Sequence, residues 1–322
     1  MMLRVSIGTL AVLGLTKLRM LEPPRTAYVL QHSERGCEAA CAFCPQSKFS
    51  SSDKNLLSRI PWPPMEVDKV VEKLGEREDY FCRICLQNVL KPRFEKELIE
   101  ILQKFRRAGI VLPVSICTTP VSTDVLRSFK RLGVDYVGVG LDAASPEVLR
   151  AVRKPYGWKV YWNFIRRSIK VFGYRKVNVH LMFGLGESEE EFAKTMQNIY
   201  DEEAEVALFP FTPISGTPME KKPMPQIERY RVTQITRFLL SKRYRLEEIA
   251  DEKNDGKIYV QNHGWVSDVK KVFLTSGCPG CNRPFYNERP NLIYNYPSVR
   301  LLLKNLDTLN SQLESVGFPP EG

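Results

Sequence analysis

The chain predicts an α/β fold: an open (β/α)6 partial TIM barrel with a C-terminal extension that closes it. Three observations predict this. Short apolar runs alternate with amphipathic ones six times between residues 27 and 242. Strict alternation of strand and helix implies parallel strands with right-handed crossovers, and six units fall short of the eight that close a full barrel. A cysteine-rich loop directly follows the first run, at the carboxyl end of a strand, where such barrels carry their chemistry. After Arg245 the alternation stops.

Taken in order, residues 1–25 predict a helical extension. The apolar run from Ile7 to Leu15 lacks the basic start and cleavage site of a signal peptide, and it reads as a short helix covering the bottom of the domain. Residues 26–245 predict the barrel. Its strands are expected over 27–31, 80–86, 110–117, 134–141, 176–183 and 204–209. Between them, Val67, Val70, Val71 and Leu74 share one helix face, as do Phe94, Leu98, Ile101, Leu102 and Phe105. Phe192, Met196 and Ile199 form a further stripe, followed by Ile227, Tyr230, Phe238 and Leu239. Residues 246–322 predict the extension: a polar turn at 251–256, a strand-like run at 257–261, a Pro- and Asn-rich segment at 278–297 and a helix over about 298–315.

The 322 residues are 43% hydrophobic and 26% charged, ample for a core. The net charge is +10, but Lys and Arg are interleaved with Glu and Asp. That pattern reads as a solvated surface and not as a nucleic-acid stripe. Eight cysteines fall as a triplet, two Cys-x-x-Cys pairs and a single. This is the arithmetic of metal sites in a reducing cytoplasm, not of a secreted disulfide framework. No stretch approaches the ~20 apolar residues of a membrane span.

The triplet is Cys37, Cys41 and Cys44, with Phe43 before the last. Structural zinc takes four ligands, usually as two short-spaced pairs, and disulfides would leave an odd thiol. Soft thiolates grouped this closely suit an iron–sulfur cluster. Three of them hold three irons of a cubane and leave the fourth open. Further features follow later strands. Asp142, after the fourth, reads either as a ribose-binding carboxylate or as part of a helix start. Phe183-Gly184-Leu185-Gly186-Glu187 follows the fifth and lets backbone approach a flat ring. A Pro-rich rim loop, 209–218, follows the sixth.

In this order these features resemble the radical S-adenosylmethionine family, on the branch that contains biotin synthase. The resemblance implies a 4Fe-4S cluster on Cys37, Cys41 and Cys44, with S-adenosylmethionine as cofactor beside Phe43. It implies that Asp142 touches the ribose and that Gly184, Gly186 and Glu187 lie by the adenine. The chemistry it implies is reductive cleavage of the sulfonium to a 5′-deoxyadenosyl radical, which takes hydrogen from an unactivated carbon. It requires no acid–base side chain.

Cys82 and Cys85 pair with Cys278 and Cys281 to make a four-thiolate set. Such a set suits a second 4Fe-4S cluster or a zinc clip. Residues three apart on a flat strand face opposite ways, so the second strand must break, bend or end between Cys82 and Cys85. Cys117 reads as a buried thiol at the end of the third strand; His32, His180, His263 and Arg283 have no assigned role. Cys85 and Cys117 match two auxiliary-cluster cysteines of biotin synthase, while the third position is Asn178.

The tail from Thr275 to Pro290 instead resembles the archaeal two-protein lipoyl synthases. That resemblance implies sulfur insertion from the auxiliary cluster into a protein-bound octanoyl chain. It implies a lipoyl-carrier domain as substrate, a paralogous radical S-adenosylmethionine partner and an electron donor such as ferredoxin, with no nucleic acid and no membrane. Biotin synthesis from dethiobiotin, a maturase or mutase without sulfur transfer, and a metal-stabilised binding protein are the alternatives.

Overall fold

The chain opens on a strand, β1 (Met2–Val5), and a short helix, α1 (Ile7–Val12). Residues 2–5 therefore depart from the helical extension expected there. The reason is pairing: β1 runs antiparallel to β2 (Thr26–Gln31) on one side and to β3 (Pro64–Glu66) on the other, and it buries Leu3 and Val5 completely. This computed structural model describes residues 1–252, 255–261 and 266–318; His263 lies outside the described residues.

Five further strands continue from β2 in parallel: β4 (Arg83–Gln87), β5 (Val114–Thr118), β6 (Val134–Asp142), β7 (Val177–Phe183) and β8 (Glu205–Pro210). The eight-stranded sheet has the order β8-β7-β6-β5-β4-β2-β1-β3. Its six parallel members are the predicted barrel strands, shifted by at most four residues at their starts.

The helices α2 (Val67–Glu76), α3 (Phe94–Arg107), α4 (Thr123–Arg131), α5 (Pro146–Ala151), α6 (Trp158–Phe172), α7 (Glu189–Asp201) and α8 (Ile227–Ser241) cover the outside. α2 buries the predicted Val67, Val70, Val71 and Leu74, and α3 the predicted Phe94, Leu98, Ile101, Leu102 and Phe105. Spacings of three and four put each set on one face. Against them stand alternate strand residues such as Ile84 and Leu86, Val114 and Ile116, and Val177, Val179 and Leu181. The intervening residues of the same strands turn inward.

The tail bridges the open side of the sheet. Ser276 Oγ accepts from Leu208 N on β8, while the Tyr286 hydroxyl donates to Ser6 Oγ, just after β1. The strand expected at 257–261 appears as Ile258–Val260, antiparallel to Ala250–Glu252. The last predicted helix is two, α9 (Val299–Leu303) and α10 (Leu306–Glu314). Among the described residues no helix is long and apolar enough to cross a membrane.

One buried side chain fastens the tail to the barrel. Arg231 on α8 donates to the carbonyls of Tyr294 (2.5 Å) and Ile293 (2.6 Å) and to Oε1 of Gln312 (3.0 Å). Its guanidinium also stands over the Tyr296 and Phe273 rings. Removing it takes the side-chain donor from Ile293 O and leaves Tyr294 O with Gln234 Nε2 alone. We predict that Arg231→Ala lowers the stability of the metal-free protein by about 2–4 kcal/mol, read as a lower urea midpoint.

Candidate active site

The loop after β2 is fixed before any ligand is considered. Cys37 N donates to Gln46 O (2.6 Å), Glu38 N to Leu90 O (2.7 Å) and Cys44 N to Cys41 O (3.2 Å). Gly36 has φ +75°, and a Cβ there would stand 2.5 Å from Gln46 O, so the turn into Cys37 needs glycine. The Lys54 ammonium ties the far side by donating to the carbonyls of Pro45, Ser47 and Ser50. Leu90 N donates to Cys37 Sγ at 3.1 Å. Burial pushes the Cys44 thiol up to about 12 and raises that of Cys41, each helped by the neighbouring thiols. The loop thus presents three sulfurs, of which those of Cys41 and Cys44 stay protonated until a cation replaces their protons.

Beside this loop, Asp142 ends β6 in a left-handed conformation, φ +65°. Its Oδ2 accepts from Lys154 Nζ at 2.5 Å, and both side chains are largely buried. Burial opposes the lysine's charge, but Asp142, Cys41 and Tyr161 outweigh it and hold its pKa well above the ordinary value. The ammonium also lies 5.9 Å from the Phe43 ring centroid and 5.5 Å from that of Tyr161. Lys154 escaped the sequence reading because it stands alone, on a turn between two helices, with no motif around it.

The glycine loop after β7 is arranged differently. Both oxygens of Glu187 are taken by its own loop, Oε1 by Gly184 N (2.6 Å) and Oε2 by Gly186 N (3.0 Å). Gly184 and Gly186 have φ +103° and +136°. None of the three lines the central cavity, whereas Phe43 and Asp142 do.

That cavity, about 300 Å³, occupies the barrel interior. Its upper wall includes Cys44, Asp142 and Lys154. Its lower wall holds Cys85, Cys117, Cys278 and Cys281. The inward positions of the strands supply Cys85 and Gln87 from β4, Cys117 from β5, and Asn178, His180 and Met182 from β7.

The segment 277–283 inserts at the amino ends of the strands. Gly280 O accepts from Thr26 Oγ1, and Pro279 O accepts from Arg83 Nε. Asn282 Oδ1 accepts from Arg25 N. Asn178 Nδ2 donates to Cys278 Sγ at 3.3 Å, and Tyr28 Oη lies 3.4 Å from Cys281 Sγ. Cys85 and Cys117 have their sulfurs 3.7 Å apart. Their contact, then burial, raises the Cys85 thiol, while burial pushes Cys278 up to about 12 and raises Cys281.

Cys82 departs from the predicted set. It immediately precedes β4, which begins at Arg83, so the expected break between the two cysteines exists. The break leaves the Cys82 thiol exposed at the amino end and not lining the cavity, in contact with Arg25 O (3.0 Å) and with Gly280 O (3.7 Å) in the turn between Cys278 and Cys281. Cys117, read as structural, stands in the cavity instead. Gly138 makes room for it: a Cβ there would lie 2.6 Å from Cys117 Sγ and 3.0 Å from His180 Nε2.

Arg283 lies 3.7 Å over the Phe209 ring and donates to Ser276 O and Leu208 O. Among the described residues no three His, Cys, Asp or Glu side chains converge as for a single metal ion.

The sequence profile of the radical SAM superfamily matches residues 34–199, from the cysteine loop through α7. The chain belongs to the radical S-adenosylmethionine superfamily. It is 25% identical over 221 residues to a biotin synthase of Aquifex aeolicus strain VF5, covering 65% of this chain and 63% of the relative. It is 22% identical over 275 residues to the ribosomal protein uS12 methylthiotransferase RimO of Crocosphaera subtropica, covering 74% and 62%. The chain thus spans less than two thirds of the length of either relative.

Among solved structures, methylornithine synthase superposes with a TM-score of 0.50 at 14% identity, over 92% of this chain and 83% of the other. The FeFe-hydrogenase maturase HydG gives 0.54 at 12%, over 67% and 50%. These likenesses support the partial-barrel fold. Membership implies S-adenosylmethionine and a 4Fe-4S cluster.

His180 gives the site a pH signature. Burial lowers its pKa to about 4; Asp142 opposes this, and Arg283 and Lys154 add to it. In the unfolded chain the imidazole takes a proton from about pH 6.5 downward. The folded chain does not until about 4, so the unfolded state binds more protons between these values and stability falls as pH falls through them. We predict that His180→Asn makes the metal-free protein less acid-sensitive in this window, measured as urea midpoint against pH.

Proposed function

We propose that the protein is a radical sulfur-insertion enzyme acting on a protein-bound octanoyl chain in lipoyl formation. The observation that carries this reading is one shared cavity, with Cys44 of the cysteine loop at one end and four further cysteines, Cys85, Cys117, Cys278 and Cys281, at the other. The donor chemistry fits two iron–sulfur centres. Cys37, Cys41 and Cys44 are soft ligands on one braced loop, and Leu90 N already donates to one of them. Cys85, Cys278 and Cys281 from the predicted second set, joined by Cys117, would hold the other, with Asn178 and Tyr28 as polar neighbours of its sulfurs.

The cofactor supplies the radical and the second centre the sulfur atom. What the chain's own residues do can be stated more closely. The Cys41 and Cys44 thiols surrender their protons on loading. Lys154 anchors the Asp142 carboxylate at the cavity wall, which fits the ribose contact implied for it. Tyr28, Trp62, Phe209 and Tyr286 give that wall the apolar character an alkyl chain requires. His180, neutral at physiological pH, brings no positive charge to the sulfur end. Gly184, Gly186 and Glu187 would shape the adenine rim through a loop that Glu187 holds rigid, not through the Glu187 carboxylate itself.

Biotin synthesis is the second reading, favoured by the Aquifex relative. Against it, Asn178 stands where the third biotin-synthase cysteine falls, and here it donates to Cys278.

The two readings separate by substrate. Reconstituted protein supplied anaerobically with S-adenosylmethionine and reductant should add sulfur to an octanoyl-lysine peptide and leave dethiobiotin unchanged; the reverse result overturns the assignment. The ligand set is tested by iron content. Wild type is predicted to hold about eight irons per chain, two 4Fe-4S centres. Cys82→Ala should hold about the same number, and Cys117→Ala or Cys281→Ala about four.

A further inference from the structure

Just past the cysteine loop, the chain carries an aromatic side chain that the fold leaves uncovered. Phe49 is 58% exposed. The Lys48 ammonium lies 5.1 Å from its ring centroid and the Arg153 guanidinium 5.9 Å, and both residues are exposed. Neither cation is neutralised by a carboxylate among the described residues. An uncovered ring between two unneutralised cations has the make-up of an interface anchor: an apolar centre to desolvate and a charged rim to steer.

The position of this patch says what it serves. Both segments that carry it are hydrogen-bonded to the backbone between the loop thiols. On one side, Lys48 N donates to Ala39 O at 3.0 Å, and Ser47 Oγ reaches the same oxygen at 3.2 Å. On the other, Ala42 N donates to Val152 O at 2.9 Å, one residue before Arg153. Ala39 stands between Cys37 and Cys41, and Ala42 between Cys41 and Cys44. From the patch, one hydrogen bond on either side leads into the chain that carries the sulfurs. A substrate chain must enter the cavity to react. An electron need only reach the loop.

We propose that the Lys48–Phe49–Arg153 surface docks a small acidic iron–sulfur carrier protein, which passes one electron to the centre on Cys37, Cys41 and Cys44. This rests on the reading of that loop as a 4Fe-4S seat. The carrier's cluster is oxidised by one electron and the accepting centre reduced by one; no bond forms or breaks and no proton moves. The carrier's carboxylates match the two cations and the chain's net charge of +10.

The test uses reconstituted protein without S-adenosylmethionine or substrate. It is mixed anaerobically with a purified, pre-reduced acidic ferredoxin, and bleaching of the accepting centre is followed as salt is raised. Dithionite serves as a reductant that needs no docking. The double variant Lys48→Glu, Arg153→Glu should slow reduction by ferredoxin about tenfold or more and flatten its salt dependence. Phe49→Ala should slow it several-fold. Iron content and the dithionite rate should stay at wild-type values.

Ferredoxin rates unchanged in the double variant overturn the proposal. If charge reversal lowers iron content, Lys48→Gln takes its place. Zero-length carbodiimide coupling of ferredoxin to the loaded wild-type protein gives a second readout: coupling at Lys48 supports the site, and coupling confined to other lysines overturns it. Neither readout involves sulfur transfer, so failure of the lipoyl assignment and failure of this site are distinguishable.

Discussion

The backbone N–H groups of Asn282 and Arg283 both donate to the hydroxyl of Tyr28, on the first parallel strand. That junction holds the tail inside the barrel, and much else depends on it. It fixes Cys281 beside Tyr28 and brings Cys278 against Asn178. It also turns the open end of a six-stranded half-pipe into the floor of a chamber. Without the tail, the inward residues of β4, β5 and β7 would face solvent at the amino ends of their strands.

The chamber then follows from strand periodicity. Alternation sends Ile84, Ile116 and Val179 out to the helices and leaves Cys85, Cys117 and His180 to face one another inside. Glycine at 138 leaves the space that Cys117 and His180 occupy. At the other end, the chain leaves β2 into a loop whose turns are fixed by Gly36 and Lys54 before any metal is bound. The same strands thus present sulfur from both ends, from segments some 240 residues apart in sequence.

The barrel was legible because its signals are periodic: six apolar runs marked six parallel strands, and the helix stripes matched buried faces residue by residue. The cysteine loop was legible from spacing. What sequence missed is what depends on three-dimensional pairing. β1 is only four residues long and exists because β2 and β3 flank it. Cys82 was grouped with Cys85 by spacing, but the strand starts between them and the two thiols part. Cys117 matched a biotin-synthase cysteine but was read by default as a buried thiol, and its place beside Cys85 arises from the register of β4 with β5, which sets Gln87 opposite Cys117. Lys154 became visible only through its carboxylate partner.

The account stands on the claim that the thiols on the chamber floor hold the sulfur that reaches the substrate. Its most direct test is a single turnover with the protein's clusters assembled from isotopically labelled sulfide, in unlabelled buffer, with an octanoyl-lysine peptide. The account predicts labelled sulfur in the product, abolished in Cys281→Ala. A thiolated product carrying only unlabelled sulfur, or full labelling retained in Cys281→Ala, would contradict it.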